Sequence, residues 1–278
     1  MKFNERYAVH PEDFKKYDTD RIRKEFLVED VFVRDEICLT YSLYDRYIIG
    51  GAHPVDKKLE LKSFDSLKAD SFLARREMGI INVGGKGIIV ADGESYELGY
   101  KEALYLGKET GHVVFESSDT KTPAKCYINS APAHKKFPNK LVTLADAEVV
   151  ELGALESSNA RKINKLLVNS IVETCQLQMG MTELQAGSVW NTMPVHTHNR
   201  RMEAYFYFEV PDDQAVCHFM GQPQETRHIW MQNEQAVLSP SWSLHSAAGT
   251  SNYVFVWGMA GENLDYGDMD VTQPTELR

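Results

Sequence analysis

The sequence has few cysteines, and they are widely spaced. Four occur in 278 residues, and no two of them form a CxxC pair. They are Cys38, Cys126, Cys175 and Cys217. This spacing argues against a structural zinc knuckle and against the disulfide framework of a small secreted protein. A chain of this length buries enough apolar surface to fold without covalent cross-links, so we expect reduced, buried thiols.

Long apolar runs and an excess of basic charge are also missing. No segment approaches the roughly 20 apolar residues that cross a bilayer, and the N-terminal stretch through Phe26 is too charged for a signal peptide. These absences predict a cytoplasmic protein without a membrane partner. The 30 Lys and Arg residues against 40 Asp and Glu give a formal net charge of -10. Such a charge repels a phosphate backbone, so nucleic acid is not an expected partner.

The sequence instead contains many short β-rich segments. Apolar residues at helical spacing between His10 and Val28 predict one or two short helices at the start. From Val31 onward, β-branched and aromatic runs alternate with turn residues, as in an antiparallel sandwich or barrel. No helix long enough for a βαβ crossover separates these runs, which excludes a parallel α/β sheet. A further short helix is predicted over ARKINKLL, residues 160–167, after favourable N-cap residues.

Length and internal similarity predict two domains that meet near residue 150. At roughly 150 residues per domain, the chain has room for two, and a proline-interrupted polar connection precedes that position. Each half has an Arg-Arg pair and a glutamate at the head of a strand, Arg75-Arg76-Glu77 and Arg200-Arg201-Glu203. Each half also ends with a turn and then a histidine before a strand, Gly107 to His112 and Pro240 to His245, five residues in each case. We interpret this similarity as a duplicated β-barrel.

The strongest chemical signal is the pair His196 and His198, followed by Glu203. Side chains at positions i and i+2 of a strand point to the same face, so the two imidazoles converge. Glu203 can return on the neighbouring strand with a carboxylate oxygen, and His245 can supply a third imidazole from a distant strand. Three imidazoles and one carboxylate suit a borderline divalent ion such as Zn²⁺, Mn²⁺, Fe²⁺, Co²⁺ or Ni²⁺.

Two further histidines, His218 and His228, lie in strand-like segments without a partner. We expect them to be core or surface histidines rather than ligands.

Two segments resemble the two motifs of the cupin superfamily, in which HxH, a following Glu and a distal His bind a metal inside a small β-barrel. They are PVHTHNRRME and LSPSWSLHSAAG. Trp242 stands where the second motif usually has glycine, but all four ligand positions are filled. Over nearly its full length the chain also resembles the 5-keto-4-deoxyuronate isomerase family of pectin breakdown. That likeness is carried by the segments RKINKLL, MPVHTHNRRMEAYFYFEV and SPSWSLHSAAGTSNYVFVWGMAGEN.

The resemblance implies a mainly β bicupin, with two double-stranded β-helix (jelly-roll) barrels and a few short helices. It implies a degenerate cupin-like domain without metal over residues 1–150, because the positions before Arg75 read DSFLA and contain no HxH pair. A metal-binding cupin domain is expected over residues 151–278, with one Zn²⁺ per chain. The implied zinc ligands are His196, His198, Glu203 and His245.

The resemblance further implies a homohexamer that acts on a small uronate. The implied reaction is a ketol isomerisation of 5-dehydro-4-deoxy-D-glucuronate to 3-deoxy-D-glycero-2,5-hexodiulosonate. Such a reaction needs a general base close to the migrating proton. The candidates are Glu183, Glu203, Tyr253 and His228, of which we name Glu203 and Tyr253 as catalytic.

The substrate carboxylate favours a cationic side chain that makes parallel hydrogen bonds. The candidates are Arg161, Lys165 and, from the Arg200-Arg201 pair, the one that faces the pocket, for which we name Arg201. Trp190 is expected among the aromatic residues that wall the barrel.

Two other classes of function fit the same residues. A metal-dependent dioxygenase could use the ligand set with iron, and oxygen consumption by the purified protein would distinguish it from an isomerase. A non-catalytic protein that binds a sugar acid and controls transcription would need a DNA-binding element. No helix-turn-helix pattern is visible in the sequence.

Overall fold

The structure, a computed structural model, describes residues 1–262 and 264–278 and is mainly β. The two helices in this part of the chain are α1 (Pro11–Phe14) and α2 (Thr19–Phe26), as predicted for its start. Three 3-10 turns are also described, Asp65–Leu67, Leu155–Ser157 and Pro274–Glu276. Among the described residues, neither helix has the length and apolar character needed to span a bilayer.

The strands of the first half are short, and most are followed by a turn. They are β1 (Lys2–Arg6), β2 (Leu27–Val28), β3 (Ile37–Ser42), β4 (Ile48–Ala52), β5 (Leu59–Glu60), β6 (Arg76–Asn82), β7 (Gly87–Ala91), β8 (Glu94–Leu98), β9 (Ala103–Leu106), β10 (Val113–Ser117), β11 (Cys126–Pro132) and β12 (Lys140–Val142). The strands of the second half are β13 (Glu148–Leu152), β14 (Arg161–Leu167), β15 (Gln178–Leu184), β16 (Trp190–Asn191), β17 (Val195–Thr197), β18 (Arg201–Phe208), β19 (Val216–Gln222), β20 (Glu225–Met231), β21 (Gln235–Ser239), β22 (Leu244–Gly249), β23 (Val254–Gly261) and β24 (Asp270–Thr272).

The chain divides into two compact units. Unit 1 comprises residues 1–5, 30–148 and 166–179, and unit 2 comprises residues 6–29, 149–165 and 180–278. One division therefore falls next to residue 150. The domain extents predicted from the sequence, 1–150 and 151–278, differ from these units in two segments. Residues 6–29 belong to unit 2, and residues 166–179 belong to unit 1.

The two units repeat one strand order. The larger sheet of unit 1 has the order β1-β3-β4-β11-β6-β9-β12, and its smaller sheet has the order β5-β10-β7-β8. In unit 2 the orders are β13-β14-β15-β23-β18-β21-β2 and β16-β22-β19-β20. Strands β4, β11, β6 and β9 thus correspond to β15, β23, β18 and β21. Within these series β11 pairs antiparallel with β4 and β6, β6 with β9, and β18 with β23. The duplication predicted from the sequence is present in the topology.

The interior of unit 1 is apolar. Met78 and Ile80 on β6 and Phe115 on β10 are fully buried in one cluster of aliphatic and aromatic side chains. Removing such side chains from water stabilises the unit by roughly 25 cal/mol per Å² of apolar surface. The position that corresponds to Glu203, two residues after the first arginine of the strand, is occupied in β6 by Met78.

Glu77 points to the opposite face of β6 from Met78, because neighbouring side chains of a strand alternate. The match between Glu77 and Glu203 in the sequence comparison is therefore wrong. Glu77 follows Arg76 directly, whereas Glu203 lies two residues after Arg201, so the two carboxylates lie on different faces.

The Glu77 carboxylate is buried and fully occupied within unit 1. Its Oε2 accepts hydrogen bonds from the backbone N–H of Cys175 at 2.8 Å and from the Tyr105 hydroxyl at 2.8 Å. Its Oε1 accepts from the backbone N–H groups of Gln176 at 2.8 Å and Leu177 at 2.9 Å. This carboxylate holds a turn of the chain in place.

The helix predicted over residues 160–167 is wrong, because Arg161–Leu167 forms strand β14 between β13 and β15. A seven-residue segment has too few residues for helix propensity to outweigh hydrogen bonding along two neighbouring strands. The corrected assignment keeps Arg161 and Lys165 on one face, since residues four apart on a strand point the same way.

Candidate metal centre

Three segments of unit 2 bring four potential ligands together. His196 lies on β17 and His198 directly follows it, while Glu203 lies on β18 and His245 on β22. One ligand atom from each side chain lies within 4.8 Å of the others. Within the described part of the chain, this is the one group of three or more His, Cys, Asp or Glu side chains that could hold a metal ion.

The distances between the ligand atoms fit a divalent cation. His245 Nε2 lies 3.1 Å from His196 Nε2, and Glu203 Oε2 lies 2.9 Å from His245 Nε2 and 3.2 Å from His198 Nε2. Ligand bonds of about 2.0 to 2.2 Å place neighbouring donor atoms about 3.0 to 3.4 Å apart. His198 Nε2 is buried and has no hydrogen-bond partner among residues 1–262 and 264–278. A cation would satisfy this nitrogen.

Hydrogen bonds on the far side of two imidazoles orient them. His198 Nδ1 lies 2.8 Å from the backbone carbonyl oxygen of Asp268. Because a carbonyl can only accept, Nδ1 carries the proton and the lone pair of Nε2 faces the other ligands. His245 Nδ1 lies 3.3 Å from Ser239 Oγ. Outer partners of this kind set the tautomer and direction of a metal-binding histidine.

The protonation states of the centre also suit a cation. Burial, reinforced by the neighbouring His245, lowers the pKa of His196 to about 2. Burial by itself would raise the pKa of Glu203, but His245 and His198 outweigh it and hold that pKa well below its usual value. A neutral imidazole at His196 and an ionised carboxylate at Glu203 are forms that bind a metal ion.

Three of the four candidate ligands, His196, His198 and Glu203, line a cavity of about 340 Å³. Its wall includes residues of β14, β18 and β23 and the segment between β23 and β24. The polar or charged lining residues beyond the ligands include Arg161, Lys165, Arg201, Tyr205 and Tyr266. A volume of this size is typical of a site for a small molecule.

The three predicted cationic residues all line this cavity, but their contacts differ. Arg161 Nη1 donates to the backbone carbonyl of Asn159 at 3.0 Å, and burial lowers the pKa of Arg161. Lys165 Nζ lies 4.9 Å from the centre of the Tyr266 ring, a cation–π arrangement. Arg201 is 1 % exposed and donates to three backbone carbonyls.

Trp190 and Tyr253 lie elsewhere in unit 2 and are not among the lining residues. Trp190 stacks on Phe219, with ring centroids 5.8 Å apart and an interplanar angle of 13°. The Tyr253 hydroxyl donates to Asn191 Oδ1, and burial raises the pKa of Tyr253 well above its usual value. Neither contact places the side chain against a molecule in the cavity.

Of the four candidates for a general base, only Glu203 lines the cavity. The carboxylate of Glu183 accepts from Asn164 Nδ2 at 2.7 Å, and His228 is exposed. His218 is a hydrogen-bonded core histidine, as expected, with Nδ1 lying 2.7 Å from the Tyr207 hydroxyl. Burial lowers the pKa of His218 to about 3, so it is neutral at ordinary pH.

Tyr266 is a lining residue that sequence reasoning missed. It lies in the irregular segment between β23 and β24, where no alternation of apolar residues indicates a direction. Tyr205, in contrast, carries a clear signal, because it follows Glu203 by two positions on β18 and therefore shares its face. Its hydroxyl lies 3.0 Å from Thr192 Oγ1, which also lines the cavity.

Comparison with known proteins agrees with the fold. Residues 36–273 match the KduI/IolB family. A Bacteroides fragilis protein named 4-deoxy-L-threo-5-hexosulose-uronate ketol-isomerase is 62% identical over 273 residues, covering 98% of each chain.

Two solved structures are similar in fold. An IolB-like protein from Salmonella typhimurium LT2 has a TM-score of 0.66 at 15% identity, covering 81% of this chain and 86% of its own. Oxalate decarboxylase from Lactobacillus farciminis, a cupin-fold protein, has a TM-score of 0.55 at 9% identity, covering 78% of each chain. At these identities the likeness concerns the fold alone, which is a mainly β bicupin.

Proposed function

Because the chain belongs to the KduI/IolB family and is an isomerase, we propose that it is a zinc-dependent ketol-isomerase of pectin and uronate degradation. Its proposed substrate is 5-dehydro-4-deoxy-D-glucuronate, and its proposed product is 3-deoxy-D-glycero-2,5-hexodiulosonate. The observation that carries this proposal is the convergence of four potential ligand atoms, three of them on residues that line a cavity together with Arg161 and Lys165. A homohexamer and a cytoplasmic location remain predictions from the sequence.

The proposed zinc ligands are His196, His198, Glu203 and His245. When bound, the ion supplies Lewis acidity that stabilises negative charge developing on the carbonyl and hydroxyl oxygens of the substrate. The low pKa of Glu203 favours its role as a ligand over a role as general base. The buried Nε2 of His198 and the short distance between the Nε2 atoms of His196 and His245 support the same assignment.

Arg161 and Lys165 are the proposed binding groups for the substrate carboxylate. They project from the same face of β14 into the cavity, where Glu203 is the one carboxylate among the lining residues that the structure describes. Arg161 donates one described hydrogen bond, through Nη1, so its other N–H groups remain for a carboxylate. The guanidinium group can then fix the substrate in one orientation.

The isomerisation removes a proton from C2 and places one on C1. A chain of hydrogen bonds reaches the cavity from Tyr253 through Asn191 and Thr192 to the Tyr205 hydroxyl. Burial keeps the pKa values of Tyr205 and Tyr253 well above the usual range, so both are protonated at neutral pH. In this proposal Tyr205 presents a hydroxyl donor to the substrate, and Tyr253 acts only by positioning it.

Removal of the metal tests the proposal directly. The purified chain should isomerise unsaturated uronate breakdown products, and dialysis against a chelator should lower the activity to below about 1% of its initial value. Zn²⁺ should restore it, whereas Mg²⁺, which prefers oxygen ligands, should not. Activity that persists in protein shown by elemental analysis to be free of metal would exclude zinc dependence. Consumption of oxygen would indicate a dioxygenase instead.

Replacement of Arg161 tests the assignment of the carboxylate site. Arg161→Ala removes charge-assisted hydrogen bonds worth about 1.5 to 3 kcal/mol, so KM should rise by about 10- to 100-fold with a smaller change in kcat. Lys162→Ala is the matched control, because Lys162 is the next residue of β14 and points to the other face. Steady-state kinetics that do not differ between the two variants would remove Arg161 from the site.

A further inference from the structure

Arg201 is fully buried at the start of β18, two residues before Glu203. Its described hydrogen bonds go to backbone carbonyls of the chain itself. Its neighbour Arg200 is largely exposed, and Arg200 Nη2 lies 3.4 Å from Glu262 Oε2. Of the two adjacent arginines, Arg200 therefore lies at the surface and Arg201 lies in the interior.

The described hydrogen bonds of the Arg201 guanidinium end on one short segment of backbone. Nη1 donates to the carbonyl of Asp265 at 2.6 Å. Nη2 donates to the carbonyls of Tyr266 at 3.1 Å and Asp268 at 3.4 Å. Three of the five N–H groups thus donate to this segment, so an end-on bidentate grip on a carboxylate through both terminal nitrogens would compete with these hydrogen bonds.

The same segment supports the histidines of the centre. The carbonyl of Asp268 that accepts from Arg201 also accepts from His198 Nδ1. Beyond it, β24 pairs with β17 and places Val271 opposite His196. The segment that Arg201 holds therefore orients one metal-binding histidine by a hydrogen bond and continues into the strand that pairs with the other.

We propose that Arg201 is a positioning residue that fixes residues 265–268, so that the Asp268 carbonyl holds His198 in the tautomer that binds metal. This inference rests on the proposed function, since it concerns the same metal site. It reassigns Arg201 from a grip on the substrate to control of metal affinity. Arg161 and Lys165 remain the groups for the carboxylate.

Metal affinity separates the two roles because it can be measured without substrate. The chain and its Arg201→Lys variant are stripped of metal, and the Zn²⁺ dissociation constant is determined by competition with a chromophoric chelator. Lysine retains the charge but cannot span three carbonyls with a planar group. Loss of an outer partner typically weakens metal binding by about 10- to 100-fold, which is the change expected for Arg201→Lys. The absorption spectrum of the Co²⁺-loaded variant should change too, because the geometry around His198 relaxes.

Two matched variants complete the experiment. Arg200→Lys, at the exposed neighbour, should leave the Zn²⁺ dissociation constant unchanged. Arg161→Lys should also leave it unchanged while raising KM. If Arg201→Lys does not fold, Arg201→Gln, which keeps two N–H donors, replaces it in the same measurement. A thermal melt of each metal-free variant verifies folding.

An Arg201 variant that binds Zn²⁺ as tightly as the unmodified chain overturns the inference. A rise in KM of more than about 10-fold at unchanged metal affinity would restore Arg201 as a substrate contact. Failure of the proposed function looks different, because then the unmodified chain itself binds no Zn²⁺ or turns over no uronate.

Discussion

Replacement of His245 by alanine should leave the metal centre largely empty and reduce isomerase activity by about 10³-fold or more. His245 Nε2 lies 2.9 Å from Glu203 Oε2 and 3.1 Å from His196 Nε2, so its loss removes one of the four converging donor atoms. Loss of a direct ligand should exceed the 10- to 100-fold effect of an outer partner, about 10³-fold in affinity. Lewis acidity worth several kcal/mol is lost with the ion, which accounts for the fall in rate.

Elemental analysis after dialysis measures the result, and well below one metal ion per chain is expected. His245→Gln is a useful second variant because it preserves most of the side-chain volume at a site that is 1 % exposed. His228→Ala is the matched control, since His228 is exposed on β20 and lies outside the centre. Full occupancy in the His245 variants would show that the assigned ligand set is wrong.

Replacement of Glu77 by alanine should strongly destabilise unit 1. The substitution removes the acceptor for three backbone N–H groups and the Tyr105 hydroxyl. Each buried donor left unsatisfied costs about 1 to 3 kcal/mol. Relaxation and entry of water recover part of this, so we expect a net loss of about 3 to 5 kcal/mol, as for other broken buried charge networks.

Amide hydrogen exchange measures this effect where it arises. The N–H groups of Cys175, Gln176 and Leu177 should exchange about 10²- to 10³-fold faster in Glu77→Ala, because each factor of ten corresponds to about 1.4 kcal/mol. The control is Glu97→Ala, whose exposed carboxylate pairs with Lys86 at the surface of unit 1 and should contribute less than about 0.5 kcal/mol. Unchanged exchange at the three amides would mean that Glu77 does not hold this turn.

Tryptophan fluorescence measures the unfolding of unit 2 separately. All four tryptophans belong to unit 2, at positions 190, 230, 242 and 257. Fluorescence-monitored unfolding therefore reports on unit 2 and identifies variants whose effect is not confined to unit 1.

The clustering of the four candidate ligand residues could be predicted from the sequence because alternation on a strand decides most of the geometry. His196 and His198 lie two residues apart, and a glutamate and a distal histidine complete a set whose residue types are specific for metal ions. The duplicated β fold of the two halves followed from turn-separated β-rich runs and an internal similarity, whereas the strand order did not. The details of that similarity failed at Glu77, where a difference of one residue reverses the face of the strand.

Other features of the site could not be predicted, for physical reasons. The segment around Arg161 has residue types compatible with either a helix or a strand, and only pairing with neighbouring strands decides between them. The partners of Arg201 are backbone carbonyls 64 to 67 residues away, and a carbonyl has no signature in sequence. An aromatic side chain such as Trp190 can pack on another ring as favourably as on a ligand, so residue type alone did not place it.

The contacts that orient His196 and His198 come from residues that are synthesised later in the chain. They are the pairing of β24 with β17 and the hydrogen bond from His198 to the carbonyl of Asp268. His198 is translated 70 residues before the carbonyl that orients it. A nascent polypeptide that has reached Glu203 therefore contains three of the four candidate ligands but not the carbonyl that orients His198. We therefore expect the centre to take its final geometry only after residues 268–272 have been synthesised.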